Sequence, residues 1–299
     1  MKRIFLFLAV NFAVLIALSI VFHLVCAVFG VNPAAAYDAT GLNYQAIALW
    51  SLVYGMTGSV ISLLLSKTIA KWSVGARTVK GDEGERERWL VDTVRSLAER
   101  ANVKMPEVAI YEGEANAFAT GAFKNSALVA VSTKIMQQMT REELRAVLGH
   151  EMSHVSNGDM VTMTLMQGVL NACVLFFSRV AAFFASRALS SNRRGGSGMY
   201  YLVYYVMQMT LGIAASMVTM WYSRRREYAA DAGSANLLGS PSSMIAALRR
   251  LGNLQPGILP DSLAAFGAVG GKKSFSRLFA THPALEDRIA ALERLQRGI

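Results

Sequence analysis

Cysteine, histidine and charged side chains are all scarce in this sequence of 299 residues. The two cysteines, Cys26 and Cys173, lie in apolar stretches and are too few for a disulfide framework or a cysteine-based zinc site. Charged residues make up 17% of the chain and hydrophobic residues 53%, a balance that is unusual for a soluble protein. The net charge of +10 comes without a basic stripe interleaved with aromatic residues, so we predict no nucleic-acid partner.

Long hydrophobic runs are what the sequence has in excess. Four runs contain no Asp, Glu, Lys or Arg: 4–29, 42–65, 160–178 and 199–223. Each reaches the roughly 18 residues that a helix needs to cross about 30 Å of hydrocarbon, so we predict an α-helical integral membrane protein in a lipid bilayer. The first run begins like a signal peptide, but it is far longer than the roughly 7–15 residues of a signal core, and we expect a retained anchor.

The basic residues predict how the first two runs are oriented. Lys2 and Arg3 precede the first run, Lys67 and Lys71 follow the second, and segment 30–41 between the runs has no lysine or arginine. Because loops rich in these residues stay in the cytoplasm, we expect both ends of this hairpin to be cytoplasmic. The arginines at 187, 193 and 194 oppose the same rule for the hairpin formed by the third and fourth runs.

The polar stretches between the runs divide the chain into four parts. We predict a transmembrane hairpin at 1–66, a first soluble part at 67–159, a second hydrophobic hairpin at 160–223 and a second soluble part at 224–299. Periodicity and turn residues within the soluble parts predict helices at 83–102, 224–239 and 283–295, strands at 107–111 and 126–132, a short edge strand near 116–121, and a mobile loop at 255–273.

A metal-binding pattern ends the first soluble part. The stretch VLGHEMSHVSNGD contains His150 and His154 with Glu151 between them, which fits H-E-x-x-H. Thr140 and Glu143 form a capping box that predicts a helix through the motif. Side chains four residues apart share one helix face, so both imidazoles can bind a single Zn²⁺, and Glu151 can take a proton from a water that the metal activates.

A catalytic zinc site needs a third protein ligand, and the residues alone leave three candidates. Asp159 follows His154 by five residues, which places it about 140° around a straight helix unless the helix breaks at Gly158. His282 and Glu227 are the other two candidates. Glu227 lies about 6 Å of helix beyond the fourth run, and His154 lies about 9 Å of helix before the third, so a hairpin would return Glu227 to the depth of the histidines.

The combination of GHEMSHVSNGD, RRREYAADAGSA and FATHPALEDRI, with NAFATG upstream, resembles the HtpX membrane metalloproteases, relatives of the CaaX-processing endopeptidases. The likeness covers nearly the whole chain. It implies a mainly α cytoplasmic, zincin-like protease domain with a small β-sheet, joined to the four hydrophobic segments. It also implies one zinc ion per chain and these roles: His150, His154 and Glu227 as ligands, Glu151 as general base, Asp231 orienting a ligand imidazole, Asn116 in the strand that binds substrate, and His282 and Arg288 near the transition state.

The function that the resemblance implies is zinc-dependent endopeptidase activity, of the H-E-x-x-H plus glutamate type, in the bacterial inner membrane. The expected substrates are misfolded or damaged membrane proteins, within a stress response and protein quality control. A dedicated processing protease for one substrate and a non-catalytic membrane scaffold with zinc are the alternatives. Residue chemistry alone points only to peptide hydrolysis.

Overall fold

A computed structural model describes residues 20, 23–24, 27–28, 30, 37–38, 41–189, 196–254 and 282–298. Most of the first hydrophobic run and the loop predicted at 255–273 lie outside these described residues.

The described chain is mainly helical. Its helices are α1 (Tyr44–Val74), α2 (Glu85–Arg100), α3 (Thr133–Gln138), α4 (Arg141–Asn157), α5 (Asp159–Leu189), α6 (Gly196–Leu238), α7 (Ser242–Leu254) and α8 (Leu285–Gln296). Its strands are β1 (Tyr37–Asp38), β2 (Gly41–Leu42), β3 (Arg77–Thr78), β4 (Glu107–Tyr111), β5 (Ala117–Thr120) and β6 (Leu128–Ser132), with a short 3₁₀ turn at Lys124–Ser126.

The chain forms two compact units, and each unit consists of two segments that alternate along the sequence. One unit comprises Met1–Ser62 and Thr164–Thr219, and the other comprises Leu63–Met163 and Met220–Ile299. The division into four parts at 1–66, 67–159, 160–223 and 224–299 stays a prediction.

Within the described residues, three helices are long and apolar enough to cross a membrane, namely Tyr44–Val74, Asp159–Ala188 and Gly198–Leu238. In the first unit, α1 and α5 approach closely at Gly55, where an added Cβ would lie 2.4 Å from the backbone nitrogen of Ala172. Small residues at such a crossing let two apolar helices gain van der Waals contact that larger side chains would prevent.

The second unit is built on a four-stranded sheet with the order β3-β4-β6-β5. Strands β4 and β6 are parallel, while β5 pairs with β6 in the antiparallel direction and is an edge strand of the described sheet. Helix α2 covers the sheet with Leu90, Val94 and Leu97, which recur at helical spacing and are fully buried in the main core.

Helix α4 begins and ends at clear signals. At its start, the Thr140 hydroxyl accepts from the backbone of Glu143 (3.2 Å), and the Glu143 carboxylate accepts from the backbone of Thr140 (2.8 Å), which confirms the predicted capping box. At its end, Gly158 adopts φ 69°, a left-handed conformation that glycine allows without strain. Helix α5 therefore starts in a new direction at Asp159.

The structure differs from the predicted elements mainly in helix length. The helix expected at 224–239 is the last part of the continuous α6, and α5 runs beyond the uncharged run to Leu189. Arginine is a good helix former, and the Arg179 guanidinium lies 3.6 Å from the centre of the Trp50 ring, so its charge does not end α5. Helices α3 and α7 and the two-residue strands β1, β2 and β3 were not predicted from the sequence.

Candidate metal centre

Helix α4 presents two imidazoles side by side. His150 and His154 are one turn apart and only 7% and 6% exposed. Their Nε2 atoms lie 3.1 Å from each other. Two ring nitrogens that face each other at this distance present two lone pairs to one point in space, as two ligands of a single ion do.

Helix α6 adds a carboxylate to this pair. Glu227 is 3% exposed, with Oε2 at 3.5 Å from His150 Nε2 and Oε1 at 3.3 Å from His154 Nε2. Ligands about 2.05 Å from a tetrahedral zinc ion are about 3.3 Å apart, which matches all three separations. The three side chains form a possible metal site, and their arrangement and donor types fit zinc. Of the three candidates for the third ligand, Glu227 is the one that completes this group.

Small residues let α4 and α6 approach closely enough for this geometry. An added Cβ on Gly233 would lie 2.5 Å from Ser153 Oγ, and one on Gly149 would lie 2.8 Å from Ser234 Oγ. Both serine hydroxyls are bonded inside the contact, because Ser153 donates to the Gly149 carbonyl and Ser234 to the Ala146 carbonyl, each at 2.8 Å. The reciprocal Gly–Ser contacts thus position Glu227 against the histidines.

A carboxylate and an arginine hold the first imidazole from behind. Asp231 Oδ1 lies 2.9 Å from His150 Nδ1, the ring nitrogen that faces away from the metal position. Arg288 donates to both oxygens of Asp231, through Nε at 2.8 Å and Nη2 at 2.6 Å, and its Nη1 lies 3.3 Å from Glu227 Oε2. Arg288 is only 7% exposed, so its guanidinium interacts with these two carboxylates away from water.

Asp159 occupies the corresponding place behind the second imidazole. Its Oδ2 lies 2.6 Å from His154 Nδ1. The helix break at Gly158 turns this carboxylate back toward the ring, but onto the nitrogen opposite the metal position. Burial lowers the pKa of His154, but the hydrogen bonds to Asp159 and Glu227 outweigh it and raise the pKa to about 9. The pocket therefore stabilises positive charge where a metal cation would bind.

Glu151 lies beside the ligands and is held by the edge strand. Its Oε2 accepts a 2.8 Å hydrogen bond from the backbone N–H of Ala119 in β5. Burial raises the pKa of Glu151, while the two imidazoles and the Ala119 N–H act in the opposite direction. A carboxylate with a raised pKa, fixed beside a metal position, is suited to accept and return a proton.

His282 and Arg288 both reach the site, in different ways. His282 is mostly exposed, and its Nδ1 lies 2.8 Å from Glu227 Oε2. Arg288 is buried behind Asp231, as described above.

Asn116 lies immediately before β5 and is exposed. Its backbone is bonded inside the sheet: its N–H donates to Ser132 Oγ, and its carbonyl accepts from the Ser132 N–H and the Tyr111 hydroxyl. The backbone polar groups of Asn116 are therefore already bonded within the protein.

Sequence reasoning missed the link from Ala119 to Glu151 and the Gly–Ser contacts. Backbone donors such as the Ala119 N–H leave no trace in the residue type. The Gly–Ser contacts did leave a signal, since Gly149 and Ser153 are one turn apart on α4 and Gly233 and Ser234 are adjacent on α6.

Comparisons with known proteins agree with this geometry. The sequence profile of peptidase family M48 matches residues 84–296. Full-length relatives described as HtpX protease homologues come from Janthinobacterium sp. (strain Marseille), 53% identical over 99% of this chain and 100% of the relative, and from Bordetella pertussis, 52% identical over 100% of both. The fold is similar to that of Ste24p from S. mikatae, with a TM-score of 0.62 and 18% identity, over 96% of this chain and 64% of that one.

The family match covers strands β4 to β6 and helices α4 to α8, and every residue of the site lies within its range. The chain therefore belongs to the HtpX metalloproteases of peptidase family M48.

Proposed function

We propose that this metalloprotease is a zinc-dependent endopeptidase that cleaves misfolded or damaged membrane proteins in the bacterial inner membrane. The observation that carries the proposal is the group formed by His150, His154 and Glu227, with Glu151 fixed beside it. Two imidazoles and a carboxylate are a common donor set of catalytic zinc, and they leave one coordination position for water or substrate.

The ligand side chains and the base have separate duties in peptide hydrolysis. Zinc bound by His150, His154 and Glu227 would supply Lewis acidity that polarises the scissile carbonyl and lowers the pKa of water. Glu151 accepts the proton of the attacking water on its carboxylate and returns it to the leaving amine. The Ala119 N–H keeps the carboxylate of Glu151 in place during both transfers.

The remaining predicted residues have proposed roles around the same reaction. Because Nδ1 of His282 is bonded to Glu227, only Nε2 can donate to a developing oxyanion, and this requires the imidazolium form. Arg288 and Asp231 act through the ligands by fixing His150 and Glu227. Asn116 binds substrate through its side chain, while the backbone groups of edge strand β5 other than the Ala119 N–H pair with the substrate backbone.

A cytoplasmic orientation of the protease domain is supported by the distribution of basic residues. Lys67, Lys71, Arg77 and Lys80 follow the second hydrophobic run, and basic residues next to a span favour the cytoplasmic side. With Cys26 and Cys173 replaced by alanine, a cysteine introduced at exposed Glu114 should resist a membrane-impermeant thiol reagent in intact spheroplasts and react after lysis. Labelling before lysis would refute this orientation.

The Glu151→Gln variant tests the catalytic proposal. We expect it to bind zinc like the wild type and to lose cleavage of an unfolded membrane protein by roughly 10²–10⁴-fold, because the amide cannot accept the proton. Glu142→Gln is the matched control, since Glu142 lies exposed in the first turn of the same helix. Cleavage by Glu151→Gln at the wild-type rate would overturn the proposal.

Two alternatives give different results in the same assays. A dedicated processing protease would cleave one substrate in a panel of unrelated unfolded membrane proteins and leave the others intact. A zinc-containing scaffold would keep its function in cells when Glu151 is replaced by glutamine.

A further inference from the structure

His154 has a buried carboxylate partner that the site as proposed so far does not use. Asp159 is 6% exposed, and its Oδ2 lies 2.6 Å from His154 Nδ1. This distance is at the short end for a hydrogen bond between a ring N–H and a carboxylate, as is typical when one partner carries charge. The matching contact behind His150 is longer, with Asp231 Oδ1 at 2.9 Å from Nδ1.

A change in helix direction creates this contact. On an uninterrupted helix, a residue five positions after His154 would lie about 140° around the axis and could not reach the imidazole. Gly158 ends α4 in the left-handed conformation, and its N–H is bonded to carbonyls of the last turn of α4. Asp159 then becomes the first residue of α5 and faces back toward His154.

Arg226 supplies a positive charge on the other side of Asp159. Its Nη1 lies 3.8 Å from Asp159 Oδ2, and its side chain is 14% exposed. Its Nε and Nη1 atoms are buried and make no hydrogen bond with the described residues. The contact between Arg226 and Asp159 is therefore an ion pair without a hydrogen bond. Arg288, by contrast, donates two hydrogen bonds to Asp231.

We propose that Asp159 is a positioning residue for the metal ligand His154, with Arg226 balancing its buried charge. By accepting the Nδ1–H of His154, Asp159 selects the tautomer whose Nε2 lone pair faces the metal position and fixes the plane of the ring. Each histidine ligand then has its own carboxylate–arginine pair, with Asp231 and Arg288 behind His150 and Asp159 and Arg226 behind His154. The proposal rests on the metal role of His154 proposed above.

Zinc affinity is the primary test, measured by competition with a chromophoric chelator. Full-length protein in detergent is used, in the Glu151→Gln background so that no copy can cleave another. Loss of a carboxylate behind a ligand imidazole weakens metal binding by about 10–100-fold, so we expect this effect for Asp159→Asn and a larger one for Asp159→Ala. Asp92→Asn is the matched control, because Asp92 lies on the surface of α2, where its carboxylate pairs with Arg95.

A separate readout distinguishes positioning from general stability. The thermal unfolding temperature of the metal-free variants reports the structural role, whereas the absorption spectrum of Co²⁺-loaded protein reports ligand geometry. We expect Asp159→Asn to change the cobalt spectrum, and Asp92→Asn to leave it unchanged. Unaltered zinc affinity and an unaltered cobalt spectrum in Asp159→Asn would overturn the proposal.

The protonation of the His154 ring in protein that keeps Asp159 gives a second test, which does not depend on a folded Asp159 variant. The chain has only four histidines, so ¹⁵N labelling of histidine gives a simple NMR spectrum of the zinc-loaded Glu151→Gln protein. We expect Nδ1 of His154 to carry a proton and Nε2 to bind the metal. Metal bound through Nδ1 would refute the role of Asp159, whereas absence of zinc binding in this protein would refute the metal site itself.

Discussion

Replacing Gly233 with alanine should push α4 and α6 apart and so lengthen the distances between the proposed metal ligands, although Gly233 is not itself a ligand. The new Cβ would lie 2.5 Å from Ser153 Oγ and 2.8 Å from Ser153 Cβ. Carbon atoms in contact are normally about 3.5–4.0 Å apart, so α4 and α6 must separate by about 1 Å near this point. The hydroxyl can rotate away from the new methyl group, but the Cβ cannot.

The size of the effect follows from the ligand distances. Glu227 oxygens lie 3.3 and 3.5 Å from the two Nε2 atoms, close to the roughly 3.3 Å of a tetrahedral zinc site. Moving α6 outward lengthens both separations together. Overpacking of this kind costs about 1–3 kcal/mol, which corresponds to a zinc affinity roughly 5- to 150-fold weaker if the strain is relieved at the metal site.

Chelator competition on purified protein measures this loss, with peptide cleavage as a second readout. Gly212→Ala is the control on the same helix, because an added Cβ there meets no atom within 4 Å. Adding Ser153→Gly should restore zinc binding to Gly233→Ala, since it removes both atoms that would lie closer than 3.0 Å to the new methyl group. Wild-type zinc affinity in Gly233→Ala would refute the close approach of α4 and α6 as the device that positions Glu227.

Two further predictions concern charges around the site and the sheet. The ion pairs of Glu107 with Lys67 and Lys71 outweigh burial and lower the pKa of Glu107 to about 2, so their stabilisation is present above about pH 4.5 and is lost as the pH falls toward 2. Metal-free wild-type protein should therefore lose more thermal stability than Glu107→Gln over this range, and equal losses would contradict the ion pairs. Arg288→Met should lower the unfolding temperature of the metal-free protein, because breaking a buried ion pair costs about 3–5 kcal/mol. An unfolding temperature equal to that of the wild type in metal-free Arg288→Met would contradict the buried ion pairs of Arg288 with Asp231 and Glu227.

Local signals in the sequence predicted α4, α2 and three apolar helices. The capping box at Thr140, the H-E-x-x-H spacing and the apolar periodicity of α2 each act within a few residues, so they can be read without knowing the rest of the fold. The three apolar runs after residue 41 became α1, α5 and α6, all of them longer than the runs themselves. Elements with weak local signals, such as the two-residue β3, depend on pairing with a distant strand.

Some residues of the proposed metal site were predicted from a local motif, and others were not. His150, Glu151 and His154 follow from one motif, whereas the choice of Glu227 over Asp159 needed the resemblance to a known family. Residue spacing places Asp159 away from His154 on a straight helix unless the helix breaks at Gly158. The structure has this break, and the Asp159 carboxylate lies against Nδ1 of His154, the ring nitrogen that faces away from the metal position. Long-range contacts such as those of Arg288 with Asp231 arise from packing across the chain and have no counterpart in local spacing.

Metal analysis of the purified full-length protein and of Glu227→Ala is the direct test of the proposed zinc site. We expect one zinc ion per wild-type chain, and loss of stoichiometric zinc in Glu227→Ala, because only His150 and His154 of the three-ligand group remain. Glu142→Ala, an exposed change on the helix that carries both histidines, should keep its zinc. Full zinc occupancy in Glu227→Ala would show that another residue is the third ligand.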